Sequence, residues 1–300
     1  MIEASHFEVN EAYVAVERHQ LEDYEPRIYR TRDVGKTWTE ITNGLPKGIY
    51  VQTVKEDPKR KGLLFAGTER AVFVSFDDGD HWQSLQLNLP ATSMRDLAIH
   101  ENDLIVATHG RGFWVLDDIT PLREITAEAA RADAFLFHPA DAINMPPGTD
   151  NGTPMPRDEA LAENPPYGAM IDYYLGSNAT GPVTLEILDP SGEIIRRYSS
   201  DDKPPTINPD ALNIPTSWVR SPKPLSNQAG MHRWIWDLRP TPAQRTGAGG
   251  GGGGAAAAVT ANFFGGRAPA VLPGSYTVKL TVNGKSYTQP LVVSLDPRAK

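Results

Sequence analysis

The stretch TRDVGKTWTEITNGLP, residues 31–46, is followed by a near copy, SFDDGDHWQSLQLNLP, residues 75–90. Six positions recur at the same separation of 44 residues: Asp33 and Asp77, Gly35 and Gly79, Trp38 and Trp82, Ile41 and Leu85, Leu45 and Leu89, and Pro46 and Pro90. A fixed separation across this many positions indicates an internal repeat rather than a coincidence of composition. The repeat therefore decides the fold.

Short apolar runs separated by turn residues fill the repeat. Within one repeat these runs are residues 51–57, 63–68, 71–76 and 81–86, and a further cycle covers residues 94–102, 103–111 and 112–118. The runs are rich in β-branched and aromatic residues and lack a helical period, which predicts strands. Units of four strands that recur every 41 to 44 residues are typical of β-propeller blades.

The sequence thus predicts an all-β protein that begins with an incomplete β-propeller. We expect two to three four-stranded blades in residues 1–123, as the C-terminal part of a larger propeller. Propellers close with about four to eight blades, so the remaining blades, from a missing N-terminal region or another chain, are an expected partner. Residues 124–166 are expected to form a connector with a short helix after Thr126, a strand and a Pro/Gly-rich loop.

A second β pattern covers residues 167–300 and predicts an Ig- or fibronectin-like β-sandwich. Asn283-Gly284 between alternating segments predicts a type I′ hairpin, and residues 189–192 predict another turn. In the segment 230–239, alternation places Trp234 and Trp236 toward the core. The Gly/Ala run at residues 246–258 is expected to be a disordered surface insertion.

Composition excludes several classes of protein. The net charge is −8 and the sequence has no long basic run, which argues against a nucleic-acid or anionic-membrane surface. The absence of cysteine excludes disulfides and thiolate metal sites. No apolar run reaches the length of a membrane span, and the first residues lack the pattern of a signal peptide.

The repeated phrase resembles the BNR or Asp-box repeat, S/T-x-D-x-G-x-x-W. Asp33, Gly35 and Trp38 fit the first copy. Asp77, Gly79 and Trp82 fit the second, in which His81 replaces the usual threonine. We interpret the box as a structural hairpin turn in which the aspartate accepts backbone N–H groups and the glycine adopts a positive φ. Both tryptophans are expected to pack within their blades.

The blade segments together resemble a wider family. AYVAVERHQLEDYEPRIYRTRDVGKTWTEITNGLP, EDPKRKGLLFAGTERAVFVSFDDGDHWQSLQLNLP and DLIVATHGRGFWVLDD are similar to the C-terminal blades of bacterial proteins with a sortilin-like BNR propeller and an Ig-like domain. Members are often labelled glycosyl hydrolases, but a shared fold does not transfer chemistry. The resemblance implies export to the periplasm or the extracellular space.

Glycoside hydrolysis requires two carboxylates across a cleft. Asp77 with Asp78, and Asp117 with Asp118, are adjacent in sequence and therefore point to opposite faces of a strand. Glu56 and Glu69 are further candidates, and no complete sialidase-like set of three arginines and a tyrosine is present. The catalytic residues are therefore unknown, and turn capping is the alternative role for these aspartates.

The best candidate ligand site is the turn between the second and third strands of each blade. These turns read Thr68-Glu69-Arg70 and His109-Gly110-Arg111, which repeats an arginine on the rim opposite the Asp boxes. Two guanidinium groups suit carboxylate recognition, and a salt bridge between blades is the alternative. His109 has no second ligand at metal-binding spacing, so we expect no metal or cofactor.

Two hypotheses follow for the function. The first is an exported binding protein whose propeller captures a peptide or a glycan through Arg70, Arg111, His109 and Glu69. The second is a glycoside hydrolase of the xyloglucanase or sialidase-like propeller type, with its carboxylates mostly outside this sequence.

Overall fold

A computed structural model of the chain describes residues 1–145, 165–204, 209–211, 216, 223–241 and 269–298. The chain divides into two compact units, Met1–Thr126 and Ala127–Lys300. The predicted Gly/Ala insertion at 246–258 and most of the Pro/Gly-rich loop before residue 166 lie outside the described residues.

The first unit consists of three antiparallel sheets in which consecutive strands pair. The first blade contains β1 (Ile2–Ala4), β2 (Ala12–Ala15), β3 (Ile28–Thr31) and β4 (Thr39–Glu40). The second blade contains β5 (Val51–Glu56), β6 (Leu64–Thr68), β7 (Val72–Ser75) and β8 (Gln83–Ser84). The third blade contains β9 (Met94–His100), β10 (Asp103–Thr108) and β11 (Phe113–Leu116). In each sheet, strands that are consecutive in the chain lie side by side, four in the first two blades and three in the third. This is the arrangement of propeller blades, so the all-β, propeller-type fold is confirmed.

The second blade lies between the other two, and apolar side chains cover both of its faces. Strand β6 is buried at every position, as expected of a strand with both faces covered. Its Leu64 and Ala66 join a core cluster with first-blade residues such as Tyr13 and Ile28. Leu63 and Phe65 join a different cluster, which includes residues of the third blade. Each blade therefore depends on its neighbours to bury its faces.

Trp82 links the first and second blades. Its indole Nε1 donates to the carbonyl of Ile41 at 2.8 Å, and its backbone N–H donates to the carbonyl of Asn43 at 2.8 Å. The side chain is 5% exposed. The backbone of Gly44 packs directly on Trp82, since a Cβ there would lie 2.2 Å from the Trp82 carbonyl oxygen.

The expectation that Trp38 is buried in the same way is wrong. Trp38 is 43% exposed, and its indole Nε1 donates to the carbonyl of Gly35 in its own turn at 3.1 Å. The physical reason lies in the neighbouring blade. Ile41 of the first blade packs against Trp82 and buries it, whereas no described segment packs against Trp38 in the same way. The motif determines where the tryptophan lies in the turn, and the neighbouring blade determines whether it is buried.

Two short helices follow the third blade. The predicted helix after Thr126 is confirmed as α2 (Ala127–Arg131), which begins the second unit. It is preceded by α1 (Thr120–Glu124), which was not predicted and which has Pro121 in its first turn, where proline fits a helix. No helix among the described residues is long and apolar enough to cross a membrane.

The second unit is a β-sandwich of two sheets. One sheet has the order β12 (Ala134–Leu136), β14 (Ala169–Leu175) and β17 (Gly230–Trp236). The other has the order β13 (Ala142–Asn144), β19 (Lys285–Leu295), β18 (Gly274–Val282), β15 (Thr184–Leu188) and β16 (Ile194–Ser199). Both sheets contribute to one buried cluster, whose members include Ile171, Trp236, Leu185 and Val278.

Local sequence signals in this unit agree with the observed turns. The hairpin β18–β19 turns at Asn283 and Gly284, whose positive φ angles of 49° and 80° are those of a type I′ turn. Trp236 is fully buried and Trp234 packs against the core, as alternation predicted. Strands β12 and β13, in the region expected to be a connector, pair with β14 and β19 of the sandwich. The Ig-like assignment and the boundaries at residues 123 and 166 stay predictions.

Truncating the two tryptophans should have unequal effects. Trp82→Ala is expected to lower the free energy of unfolding of the first unit by ~3–5 kcal/mol, because it empties a buried site at the blade interface. Trp38→Ala, at an exposed position, should cost less than about 1 kcal/mol. Urea denaturation followed by tryptophan fluorescence and circular dichroism measures both. Equal losses for the two variants would contradict this account of the blade interface.

Candidate functional site

The repeated phrase forms two turns, between β3 and β4 and between β7 and β8, which we call the Asp-box turns after the motif that they resemble. Their polar side chains form hydrogen bonds within the turn. Asp33 Oδ1 accepts the backbone N–H of Thr37 at 2.8 Å, and Asp77 Oδ1 accepts that of His81 at 2.8 Å. Gly35 and Gly79 have φ angles of 80° and 88°. These contacts fix the hairpin turns, which is the structural role predicted for the motif.

Hydrogen bonds stabilise the charged form of both aspartates. Contacts from Thr37 lower the pKa of Asp33 below its ordinary value. Burial alone would raise the pKa of Asp77, but hydrogen bonds from His81 and Ser75 outweigh it, so this pKa is lowered as well. A carboxylate held ionised by its own turn is poorly suited to act as a general acid.

A polar cluster lies where the Asp-box turn of the second blade meets the first blade. The Tyr13 hydroxyl donates to Asp78 Oδ1 at 2.5 Å, and Arg30 lies 2.8 Å from Asp78 Oδ2. Arg32 also contacts Asp78, and it reaches Glu11 at 3.0 Å. Burial, followed by the hydrogen bond to Asp78, raises the pKa of Tyr13. Tyr13 therefore stays protonated as a donor, and the cluster joins the two blades.

Asp77 and Asp78 consequently do not form a catalytic pair. Asp77 contacts the Ser75 hydroxyl at 2.9 Å within its turn, whereas Asp78 contacts residues of the first blade. Glu56 is 1% exposed, and its carboxylate accepts the backbone N–H of His6 at 2.7 Å. No group of three His, Asp or Glu residues in the described parts of the chain could hold a metal ion.

The opposite end of the blades forms what we call the upper rim: the loop at residues 16–27, the turn at residues 68–71 and the turn at residues 108–112. Each joins the second and third strands of a blade. Since neighbouring strands are antiparallel, these connections lie at the other end of the third strand from an Asp-box turn. The upper rim therefore carries all four predicted ligand-binding residues.

The two predicted turns are built alike. The backbone N–H and the hydroxyl of Thr68 donate to the carbonyl of Ala71 at 2.9 and 2.8 Å. Thr108 makes the same two bonds to Gly112, at 3.2 and 2.6 Å. The turn of the third blade is thus one residue longer, and Arg70 and Arg111 each immediately precede the closing residue.

This extra residue changes the register of the third blade. At the separation of 41 residues that relates Arg70 to Arg111, Ala66 would match Ala107. In the structure Ala66 pairs with Phe73, whereas Val106 pairs with Trp114. Ala66 therefore corresponds to Val106, at a separation of 40 residues, because the longer turn absorbs the difference.

The predicted ligand residues differ in how they are held. Backbone hydrogen bonds anchor both turns. The N–H of Glu69 donates to the carbonyl of Tyr50 at 3.1 Å, and the N–H of His109 donates to the carbonyl of Ser93 at 2.8 Å. Arg70 lies 4.0 Å from the Glu69 carboxylate, and its side chain is 65% exposed. Arg111 and His109 are exposed as well. Glu69 and Arg70 thus form one group, and His109 and Arg111 form a second on the same rim.

Sequence reasoning missed an aromatic cluster on this rim. His19 stacks on Tyr50 with 4.7 Å between ring centroids, and Tyr24 lies 6.2 Å from Tyr50. His19 and Tyr24 belong to the loop at residues 16–27, which joins β2 and β3. The available signal was the length of this loop, since the equivalent turns are much shorter.

Polar contacts connect the aromatic cluster to β5 and β9, the first strands of the second and third blades. The side-chain amide of Gln52, in the orientation that satisfies both partners, donates to Glu17 at 2.9 Å and accepts from Arg95 at 3.3 Å. Glu17 also contacts His19. The rim thus combines the exposed arginines Arg18, Arg70 and Arg111 with an aromatic surface, and exposed Arg95 of β9 lies next to it.

Comparisons with known proteins give matches of low identity or partial coverage. No protein-family model matches the chain. Over 77 residues, 26% of the chain, it is 32% identical to "Vacuolar protein sorting/targeting protein 10" from Pyrenophora teres f. teres (strain 0-1). The chain spans only 5% of the length of that relative.

Solved structures that resemble the chain include GH74 enzymes. An ancestral GH74 enzyme has 20% identity and a TM-score of 0.31, covering 37% of this chain and 13% of that chain. The GH74 xyloglucanase from Xanthomonas campestris has 14% identity and a TM-score of 0.29, covering 58% of this chain and 26% of that chain. YCF48 bound to D1 peptide has 20% identity and a TM-score of 0.28, covering 39% of this chain and 36% of that chain. The fold assignment rests on the strand order and register above.

The buried cluster at the Asp-box end can be tested by mutation. Asp78→Ala is expected to destabilise the first unit by ~3–5 kcal/mol, because Tyr13 and Arg30 lose the carboxylate that pairs with them at a largely buried position. Arg32→Ala should cost only about 0–1 kcal/mol, since its side chain is 62% exposed. Urea denaturation gives both values, and a larger loss for Arg32→Ala would contradict the assignment.

Proposed function

We propose that the blades bind an acidic peptide segment of another protein through the upper rim. The observation that carries this proposal is the pair of exposed guanidinium groups, Arg70 and Arg111, in equivalent turns of neighbouring blades. Guanidinium groups recognise carboxylates in a bidentate manner. Residues in exposed loops on a rigid scaffold are also the usual carriers of binding function.

The aromatic cluster extends this surface. His19 and Tyr24 lie beside Tyr50, and Tyr24 is 46% exposed. Aromatic side chains contribute contact area at low conformational cost, which favours recognition of an extended peptide next to the arginines. The partial relative is by name a sorting and targeting protein, which agrees with binding of other proteins.

The glycoside-hydrolase alternative has less support. Of the rim carboxylates, Glu17 contacts Gln52, Asp23 pairs with Arg27 and Glu69 lies beside Arg70. At the other end, Asp77 and Asp78 contact separate partners. A pair of carboxylates across a cleft, which hydrolysis requires, is not found among the described residues.

Two further parts of the proposal follow from the resemblance to exported propeller proteins. We propose an extracytoplasmic location, and we propose that the first blade packs against a further blade. The second is supported by Trp38, whose exposed indole matches the position of the buried Trp82. A peptide-binding rim would then continue onto the adjoining blade.

The binding proposal is tested with the double variant Arg70→Ala/Arg111→Ala. A fluorescein-labelled oligoglutamate peptide serves as the probe in fluorescence anisotropy, and an oligoglutamine peptide is the uncharged control. We expect the Kd of the acidic peptide to rise at least about tenfold, because charge-assisted hydrogen bonds are lost. Binding should also weaken as salt is added.

The matched control variant is Lys36→Ala/Lys61→Ala, which removes two exposed positive charges at the opposite end of the blades. It should leave the Kd unchanged. Equal binding by the arginine double variant, or equal weakening in both double variants, would refute the upper rim as the site. Release of reducing sugar from xyloglucan by the wild-type chain would favour the hydrolase instead.

A further inference from the structure

The third blade has an unpaired outer edge at β11. In the first two blades the third strand pairs with a fourth, β4 or β8. Strand β11 pairs with β10, and no described segment pairs with its other side. After β11 the chain turns inward, where the backbone N–H of Ile119 donates to Asn102 at 2.7 Å. The outer edge of β11 is therefore left available for hydrogen bonding.

An apolar groove lies next to this edge. Its walls come from the end of the second blade and from the third blade, with Leu85, Leu87, Leu89, Val106, Trp114 and Leu116 as the main lining residues. The groove is open to solvent. It continues the buried cluster between these blades, to which Leu85, Leu89, Trp114 and Leu116 contribute. An exposed apolar groove beside an unpaired strand is suited to accept an additional strand.

The internal repeat indicates what such a groove accepts. Leu85 corresponds to Ile41, whose carbonyl accepts the indole N–H of Trp82 at 2.8 Å. Leu89 corresponds to Leu45, which packs against the cluster that contains Trp82. Leu85 and Leu89 therefore line the space between the second and third blades as Ile41 and Leu45 line the space around Trp82. No described residue fills the place that Trp82 takes between the first two blades.

One difference in the groove wall limits how closely a strand can approach. Asn88 takes the place of Gly44, where a Cβ would lie 2.2 Å from the Trp82 carbonyl oxygen. Leu87 takes the place of Asn43 and adds apolar surface. A strand bound here must therefore lie farther from Asn88 than the backbone of Trp82 lies from Gly44. It contacts the chain through its inserted side chain and through β11.

We propose that β11 and the adjoining groove form a binding site for an extended polypeptide strand that carries an aromatic residue, contributed by a partner polypeptide. The strand adds to the free edge of β11 and places its aromatic side chain against Leu85, Leu89 and Leu116. This site is separate from the upper rim, because the groove lies along the outer side of the blades.

The first test uses a peptide with the chain's own fourth-strand sequence, residues 80–86 (DHWQSLQ), and the same peptide with alanine in place of tryptophan. Isothermal titration calorimetry with the full chain should show binding of the first, and the alanine peptide should bind at least about tenfold more weakly. Equal binding of both peptides, or no binding of the tryptophan peptide, would overturn the proposal.

Two protein variants locate the binding. Leu87→Asp places a charge in the groove at an exposed position, so it should weaken peptide binding at least about tenfold without unfolding the blades. Val9→Asp makes the same change at an exposed residue elsewhere in the unit and should leave the Kd unchanged. Weakening by both variants to the same extent would overturn the assignment of the groove.

A third variant and an exchange measurement test the geometry. Asn88→Gly removes the side chain that keeps the strand away from the turn, so it should lower the Kd of the tryptophan peptide. Hydrogen exchange should show protection of the amides of Phe113–Leu116 when peptide is bound, because β11 gains hydrogen bonds. Unchanged exchange in β11, or a dimer of the chain that the peptide dissociates, would refute strand addition by a partner.

Discussion

Contact between blades through Trp82 is the interaction on which the first unit depends. A single blade is a small sheet with two apolar faces, and it cannot bury them alone. The indole of Trp82 fills the space next to Ile41, and its ring and backbone N–H groups satisfy two carbonyls of the first blade. Gly79 permits the same approach, since a Cβ there would lie 2.4 Å from Ile41. The Asp-box turn thus serves chiefly to present this tryptophan.

The two ends of the blades have different physical characters, and we propose that this separates the residues that stabilise the fold from those that bind a partner. At the Asp-box end, charged groups pair with one another across blades, as Asp78 does with Arg30. Burial makes such pairs costly to break but leaves them little capacity to contact a ligand. At the upper rim the side chains of Arg70 and Arg111 are exposed, and backbone hydrogen bonds hold the turns. Charges that are already desolvated hold the fold, and we propose that these exposed arginines contact a partner.

The third blade shows how a repeat can diverge without losing the fold. Its inner strands pack on the second blade in the same way, through residues such as Leu97 and Leu104. Its upper-rim turn is one residue longer, and the place of a fourth strand is an open groove among the described residues. Neither change removes the packing of the inner strands.

The sequence by itself determined the strands, the turns and the periodicity. Alternation, Asn-Gly turns and the Asp-Gly-Trp phrase are local signals, and they predicted the blades and the β18–β19 hairpin before any contact was known. It also located Arg70 and Arg111 on one rim, since strand direction follows from counting strands.

Only the tertiary structure decided which of two equivalent residues is buried, and which distant residues meet. Trp38 and Trp82 have the same local motif, and their burial differs because only one has a blade packed on it. The stacking of His19 on Tyr50 joins separate loops, and a longer turn at residues 108–112 shifted the register of the third blade. Local propensity depends on nearby residues in the chain, whereas burial and binding surfaces depend on segments that are distant in sequence and adjacent in space.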